Sequence, residues 1–438
     1  MGFLTFQGGI HPDDGKELSK NQKIATMEAG DKLYYSVAQH IGAPAIPVVA
    51  KGDYVMRGQL LAKAGGFVSA PVHASVSGTV AGIQKMRMPG GGLTDCIVVE
   101  NDGEMKELSY EGASSLEDLS KEEILSRISN AGIVGMGGAG FPTHVKLSPK
   151  EPEKIEYILV NGAECEPYLT SDYRRMLEEP ERVVEGLRVV LKLFPKAKGY
   201  ICIEDNKKDC VKAIEPLCTD SNIEVRILRT KYPQGAERML IHATTGRRIN
   251  SSMLPADVGC IVDNIDTITA IGQAVLKGEP LMERIMTITG DAISKPQNLL
   301  VPIGTLMGEV VDVAGGFKQD PEKIIAGGPM MGNALFGLDV PVIKTSSAIL
   351  AFTKDEVSAS QPSACINCGR CVEDCPGRVV PARLATFADR GDEESFLKYD
   401  GMECCECGCC SYVCPAKRQL TQSIRSMRKI LLSKRKKG

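Results

Sequence analysis

Apolar positions between residues 43 and 100 come in short β-rich runs, KGDYVMRGQLLA and APVHASVSGTVAGI among them, with glycine turns at regular spacing. Such runs predict a compact β domain. After an acidic, helix-like segment, SSLEDLSKEEILSRISNAGIVG, the period changes. KIEYILVNGAECEP reads as a buried strand ending in a polar turn. Helix EPERVVEGLRVVLKLF, strand AKGYICIED, helix NKKDCVKAIEPLC and strand IEVRILRT then alternate. That alternation predicts an α/β unit with a parallel sheet, whose ligands sit beyond the carboxyl ends of the strands, where Asn161, Glu164 and Glu166 fall. Residues 284–317 read strand, turn, strand, short helix, compact enough for a small β-grasp-like unit. Near the end, Leu420, Ile424, Met427, Ile430 and Leu431 form one helical stripe, with basic residues on the remaining surface. This helix fits an anionic membrane surface, a membrane partner or a face of its own chain, and the pattern does not separate these.

Composition narrows the class. At 438 residues the chain exceeds one core, and length alone suggests about three domains. No stretch approaches the length of apolar residues a transmembrane helix needs. The opening residues, MGFLTFQGGIHPDDGK, lack a basic region followed by an apolar run, so a secretory signal is not expected. Sixteen cysteines without an export signal point to a reducing compartment, the cytoplasm, where thiols serve metals rather than disulfides. The net charge of −3 is uneven: Ala416 to Gly438 carries nine Lys or Arg and no acid, which leaves 43 basic against 55 acidic residues, −12, elsewhere.

Eight of the cysteines form two copies of C-x2-C-x2-C-x3-C-P: Cys365, Cys368, Cys371, Cys375 with Pro376, and Cys404, Cys407, Cys410, Cys414 with Pro415. Bacterial-type ferredoxins hold two [4Fe-4S] clusters with this spacing, three near thiolates wrapping one cube and the fourth reaching to the other. Cluster one is therefore assigned to Cys365, Cys368, Cys371 and Cys414, and cluster two to Cys404, Cys407, Cys410 and Cys375. Structural zinc runs as separated C-x2-C pairs and calls for no trailing proline. Cys405 and Cys409 interleave the second motif but fall out of its register, and read as spare thiols near a cluster. Cys96, Cys165, Cys202, Cys210, Cys218 and Cys260 have no ligand spacing and read as core residues.

The run GMGGAGFPTHVKL places Gly135, Gly137, Gly138 and Gly140 in a loop whose backbone N–H groups can approach an anion or a flat ring. It is not the G-x-G-x-x-G dinucleotide fingerprint, because a helix-like segment rather than a strand precedes it. His144, beside this loop, is a further phosphate candidate; Glu164, Glu166 and Lys146 on their own would read as ordinary surface charges.

Residues 43–100 resemble the barrel-sandwich fold of lipoyl and biotinyl carriers, with the GDxVxxGqxL…P…SGxV framework. The modifiable lysine of carriers is absent from PVHASVSG, which leaves the module a scaffolding role. Four further segments, GMGGAGFPTHVK, ILVNGAECEP, YPQGAE and VDNIDT, resemble in order the flavin-binding segments of the NADH-oxidising flavoprotein subunit of respiratory complex I. A β-grasp domain of the SLBB type follows them. With the barrel-sandwich and the ferredoxin-like tail added, nearly the whole chain is similar to the RnfC family, which belongs to the Rnf complex, a membrane ferredoxin:NAD⁺ oxidoreductase.

That resemblance implies a multidomain α/β protein: an N-terminal extension (1–30), a barrel-sandwich β domain (31–115), an α/β FMN/NADH domain (116–278), an SLBB-like β-grasp domain (279–350), an α-helical two-cluster ferredoxin domain (351–416) and a basic tail (417–438). It implies FMN, NAD(H) and two [4Fe-4S] clusters. By matched position, Gly135, Gly137, Gly138, Gly140 and Lys146 would cradle FMN and dinucleotide phosphate. Asn161 would touch the flavin ring, with Glu164 beside it in the acidic turn, and Glu166 would steer the nicotinamide carboxamide. Tyr232, Gly235 and Glu237 would contact flavin and NADH ribose, while Asn264 and Thr267 would hold the FMN phosphate. Ala163 stands where complex I commonly has Asp, and Asp263 where it usually has Asn, so Asp263 weakens the phosphate contact unless it points away.

The expected function is hydride exchange between NAD(H) and FMN, then single-electron transfer through two clusters, with no side chain acting as general acid or base. Integral membrane and ferredoxin-accepting subunits would be partners, with the chain peripheral on the cytoplasmic side of the membrane and no nucleic acid involved. A flavin-free iron–sulfur wiring module, or a flavoprotein subunit of a soluble bifurcating dehydrogenase or hydrogenase, are the alternatives.

Overall fold

The computed structural model describes residues 4–435. In the β domain, strands Lys32–Ser36, Leu93–Asn101, Gly78–Arg87 and Tyr54–Val55 make one antiparallel sheet. Ile46–Pro47, Leu60–Lys63 and Val72–His73 make the facing one. Alternation decides the faces: Leu33 and Tyr35 point inward beside Val55, Leu61, Val72 and Val99, while Lys32 stays in water. The buried Tyr35 hydroxyl is satisfied by Ser75 at 2.8 Å.

The central unit carries four parallel strands in the order Ile223–Leu228, Lys198–Glu204, Tyr157–Gly162, Cys260–Asn264. The apolar runs of the other three strands are buried on both faces while the edge strand Ile223–Leu228 leaves Ile227 exposed, and helix Pro180–Leu193 covers one face with Val183, Val184, Leu187, Val190 and Leu191. Close approach sets a residue choice here: a Cβ on Gly186 would stand 2.0 Å from the Ile268 carbonyl oxygen of the neighbouring helix. One apolar cluster joins this unit to the β domain, so the two share a continuous core.

The β-grasp unit is a six-stranded mixed sheet. Its strands Glu283–Thr289 and Gln297–Pro302 pair antiparallel, and Ala348–Phe352 lies parallel to the first. An edge comes from far away in sequence: Ile24–Thr26 pairs parallel with Gln297–Pro302. The segment 1–30, read from the sequence as an extension, is thus woven into the molecule over its described residues. Leu4 bridges Leu228, Ile10 bridges Tyr232, and Gly9 donates to the Asp374 carbonyl at 2.9 Å. Three residues of strand are too few to leave a period in the sequence.

Both cysteine motifs adopt one backbone form. Asn367, Gly369 and Arg378 of the first, and Glu406, Gly408 and Lys417 of the second, occupy equivalent positions and all have φ between 53° and 84°. Left-handed residues other than glycine are uncommon, so their repetition marks a shared requirement of the loop. Helix Leu420–Arg435 completes this unit, Leu420, Ile424, Met427 and Leu431 packing on Leu384, Ala385 and Phe396. The apolar stripe therefore covers its own chain, contributing roughly 1.5–3 kcal/mol per buried side chain, while Ile430 remains exposed. Among the described residues no helix is long and apolar enough to cross a membrane.

Candidate functional site

In the central sheet the chain runs from Tyr157–Gly162 outward through two strands on one side, then returns to place Cys260–Asn264 on the other. The carboxyl ends of these two adjacent strands are the topological switch point, where open α/β sheets bind ligands. Asn161 and Asn264 end them in register with each other. Beyond them opens a cleft of about 2180 Å³, well above the ~300–1,000 Å³ of a site for one small ligand. All of the expected cofactor residues line it: Gly135, Gly137, Gly138, Gly140, Lys146, Asn161, Glu164, Glu166, Tyr232, Gly235, Glu237, Asn264 and Thr267.

The glycine loop forms one wall. Its neck is closed by Gly135 N–H donating to the Phe141 carbonyl at 2.9 Å, and the buried Thr267 hydroxyl accepts from Met136 N–H at 2.9 Å. A Cβ on Gly137 would stand 2.8 Å from that of Asn264, whereas one on Gly138 would meet no protein atom within 4 Å. The loop thus leans on the Asn264 turn and presents bare backbone to the cleft. Asn264 caps helix Ile265–Gly272, its Oδ1 accepting from Asp266 N–H at 2.9 Å and its Nδ2 donating to Asp172 at 2.7 Å. After the loop comes a four-residue helix, Thr143–Lys146. His144 turns away to the β domain, its Nε2 lying 3.3 Å from the Phe67 carbonyl.

Lys146 and Asp263 are partners. The ammonium lies 2.9 Å from Asp263 Oδ1 and donates to the Val262 carbonyl at 2.7 Å. Burial disfavours the Lys146 charge, but the Asp263 carboxylate outweighs it and holds the lysine above its ordinary value. The expected penalty of an aspartate at 263 is offset locally, although its buried Oδ2 has no partner.

The opposite wall is the turn that follows Asn161. The Asn161 amide is spent on backbone: Nδ2 donates to Gly235 O at 2.8 Å and Oδ1 accepts from Ala163 N–H at 3.2 Å. Glu164 caps helix Ser171–Glu178, accepting from Asp172 N–H at 2.7 Å and Tyr173 N–H at 3.3 Å. Burial raises its pKa, against the charges of Lys16 and Lys207. Glu166 differs. Its Oε2 accepts from Met330 N–H at 3.1 Å, but Oε1 is buried without a partner, and burial pushes its pKa up to about 7. Gly235 N–H lies 3.2 Å from Cys165 Sγ, Glu237 opens helix Glu237–Thr245, and Tyr232, 1% exposed, donates its hydroxyl to the Cys407 carbonyl at 2.7 Å.

Tyr232 leads to the cysteines. Cys404, Cys405 and Cys407 line the cleft, and they also line a small recess with Cys375, Cys409 and Cys410. Cys375 therefore joins the second motif's three near thiols, and the neighbours that follow burial in raising the Cys371 pKa are Cys414, Cys365 and Cys368. Among the described residues no three or more His, Cys, Asp or Glu are arranged round a single metal ion. The fit to iron–sulfur cubes rests on donor type and pairing. Cys365 and Cys368 are exposed, whereas Cys375, Cys407 and Cys410 are buried. Arg238 fixes the second loop to the central unit through Glu403 at 2.9 Å, and Ser251 N–H donates to the same carboxylate at 3.0 Å.

Several cleft residues escaped the sequence reading. Gly327, Gly328 and Met331 of the β-grasp unit close one side, and Arg284 reaches in to Asp266 at 2.8 Å. The glycine pair at 327–328 was the only local signal. Lys16 and Lys207 lie beneath the acidic turn and carry no motif at all.

Comparison with known proteins agrees with this architecture. Residues 4–104 match the family model of the RnfC barrel sandwich hybrid domain, 128–273 that of the Nuo51 FMN-binding domain and 285–334 that of the SLBB domain. The chain is 47% identical to the C subunit of the proton-translocating ferredoxin:NAD(+) oxidoreductase complex of Clostridium ljungdahlii, over 97% of this chain and 93% of that one. It is 43% identical to the C subunit of the Na(+)-translocating complex of Acetobacterium woodii, over 99% and 98%. An NAD+-reducing [NiFe]-hydrogenase in the H2-reduced state shares the fold at a TM-score of 0.51 and 16% identity, over 74% of this chain and 63% of that chain. An FMN-binding domain set between a barrel-sandwich and a cysteine-rich helical unit defines the class, a multidomain oxidoreductase subunit. Within that class, the chain belongs to the RnfC family of Rnf-type ferredoxin:NAD⁺ oxidoreductase complexes.

Proposed function

We propose that this chain is the NAD(H)-binding electron-transfer subunit of a membrane-bound Rnf complex, holding FMN and two [4Fe-4S] clusters. One observation carries the reading: the cleft at the switch point of the sheet is bordered directly by Cys404, Cys405 and Cys407 of the second cysteine motif. When bound, FMN would exchange a hydride with NAD(H), and the clusters would carry electrons singly. The chain's own residues bind and orient. Gly138 offers backbone to a flat ring, Lys146 offers a cation beside the loop, and the unpartnered Oε1 of Glu166 offers an acceptor to a ligand donor. Cys404, Cys407, Cys410 and Cys375 would hold the cluster nearer the cleft. Cys365, Cys368, Cys371 and Cys414 would hold the outer one, with exposed thiols facing a partner.

The proton- and Na(+)-translocating relatives align with this chain at similar identity over nearly its full length. That similarity favours ion coupling in integral membrane partner subunits, with this chain peripheral on the cytoplasmic side. The test is anaerobic purification with acid-released flavin, iron and sulfide counted. About one FMN with eight iron and eight sulfide, and flavin bleached by NADH, is the expected result. Eight iron with no flavin, even after FMN is supplied, refutes it.

A further inference from the structure

Two buried lysines lie under the turn Ala163–Leu169, and neither is explained by a cofactor contact. Lys16 donates to the carbonyls of Glu164 at 3.0 Å, Glu166 at 3.1 Å and Leu169, and its ammonium stands 3.7 Å from the Glu164 carboxylate. From the other side Lys207 donates to Ala163 O at 2.6 Å and pairs with Glu204 at 3.1 Å. Two cations and two carboxylates thus balance in a buried group. The turn they hold has a costly backbone, since Glu164 with φ 44° and Tyr168 with φ 69° sit in the left-handed region. Such a conformation persists only where its surroundings over-determine it, and three carbonyls gathered on one ammonium do that.

Lys16 is itself fixed from three directions. Ile10 and Tyr232 exchange backbone hydrogen bonds at 2.8 and 2.9 Å. Ser19 Oγ meets Thr170 Oγ1 at 2.8 Å, and Asn298 Nδ2 donates to Ser19 O at 3.1 Å. The segment that carries Lys16 is therefore anchored to the cleft wall, to the β-grasp sheet and, through Gly9, to Asp374 beside the ligand Cys375.

We propose that Lys16 is a positioning residue for nucleotide binding: by gathering the carbonyls of Glu164, Glu166 and Leu169 it holds Glu166 so that its unpartnered carboxylate oxygen accepts a hydrogen bond from an N–H or O–H donor of NAD(H). This rests on the functional reading above. Lys16 touches no ligand and acts only through the turn.

The test uses the full chain, purified anaerobically with its cofactors, and calorimetric titration with NAD⁺. Lys16→Met keeps the stem and removes the ammonium. Loss of one well-placed hydrogen bond to a charged acceptor is worth about tenfold in Kd, so Lys16→Met and Glu166→Ala are each expected to weaken NAD⁺ about tenfold. Because one acts through the other, Lys16→Met added to Glu166→Ala is expected to cost less than about twofold more. Flavin and iron content stay unchanged. A Kd for Lys16→Met within about twofold of the unaltered chain overturns the proposal, as does a full additional loss in the Glu166→Ala background. Should Lys16→Met lose its cofactors, Lys16→Met/Glu164→Gln leaves no unpaired charge and is read the same way. Cofactor loss in both variants assigns Lys16 to folding and overturns the proposal too. Failure of the unaltered chain to bind NAD⁺ would instead sink the functional reading, a distinct outcome.

Discussion

The Tyr232 hydroxyl donates to the Cys407 carbonyl at 2.7 Å, so a side chain lining the cleft is bonded directly to the backbone of the second cysteine motif. Both partners are buried, and a hydrogen bond there is worth about 1 kcal/mol net, more if the carbonyl is left unsatisfied. Tyr232→Phe keeps the ring and deletes the donor. We expect it to destabilise the chain by about 1–2 kcal/mol and to move the midpoint potential of the nearer cluster to more negative values, because a donor beside the ligand loop favours the reduced, more negative cluster. Potentiometric titration followed by electron paramagnetic resonance reads this, and an unchanged midpoint counts against it.

Glu166 gives stability a pH dependence. Burial raises its pKa from 4.5 to about 7, so between those values the folded chain holds a proton that the unfolded chain releases. Its contribution is fully present below the unfolded value and is lost as pH rises through 7. Glu166→Gln removes that dependence. The stabilisation it brings is expected to be larger at pH 8 than at pH 6, by on the order of 1 kcal/mol in denaturant unfolding. Equal effects at the two pH values would contradict the assignment.

Asp263 competes for Lys146. Asp263→Asn removes the carboxylate that the ammonium now pairs with, and is expected to tighten FMN several-fold in fluorescence titration of the flavin-stripped chain. Lys146→Met does the reverse, leaving a fully buried carboxylate without its counter-ion at a cost of about 3–5 kcal/mol, with flavin lost on dilution. Equal flavin affinity in Asp263→Asn and the unaltered chain would show that Lys146 does not reach the ligand.

The cysteine assignment separates ligands from neighbours. Cys375→Ser and Cys414→Ser are each expected to lose about half of the iron and sulfide, from different clusters. Cys405→Ser and Cys409→Ser are expected to keep all of it, although both thiols sit in the recess of the second motif. Iron loss in Cys405→Ser would mean that the second motif uses another register.

The cysteine spacing, the parallel sheet and the residues that converge on the cleft were legible because each is carried by a local pattern. Asn161 lies in a stretch that read as a strand, whereas the strand Cys260–Asn264 was not read as one and Asn264 was reached only through the resemblance of VDNIDT. What stayed hidden depends on distance in sequence. Lys16 reaches a turn about 150 residues away, and nothing in HPDDGKELSK marks it as buried. The pairing of Ile24–Thr26 with Gln297–Pro302 is equally silent, since three residues show no period. The commitments of Asn161 and Glu164 were also invisible, because a sequence gives a side chain's chemistry but not whether the backbone has already claimed it.

The weave of residues 4–30 bears on how the protein is made. This stretch leaves the ribosome before any of its partners, and those partners lie at Leu228, Tyr232, Asn298 and Asp374. Pairings of such sequence separation form slowly, because loop-closure entropy comes due before the contact rewards it. This segment, made before the residues it pairs with, is thus among the last to settle, and Asp374, the most distant of those named, neighbours Cys375 of the first motif.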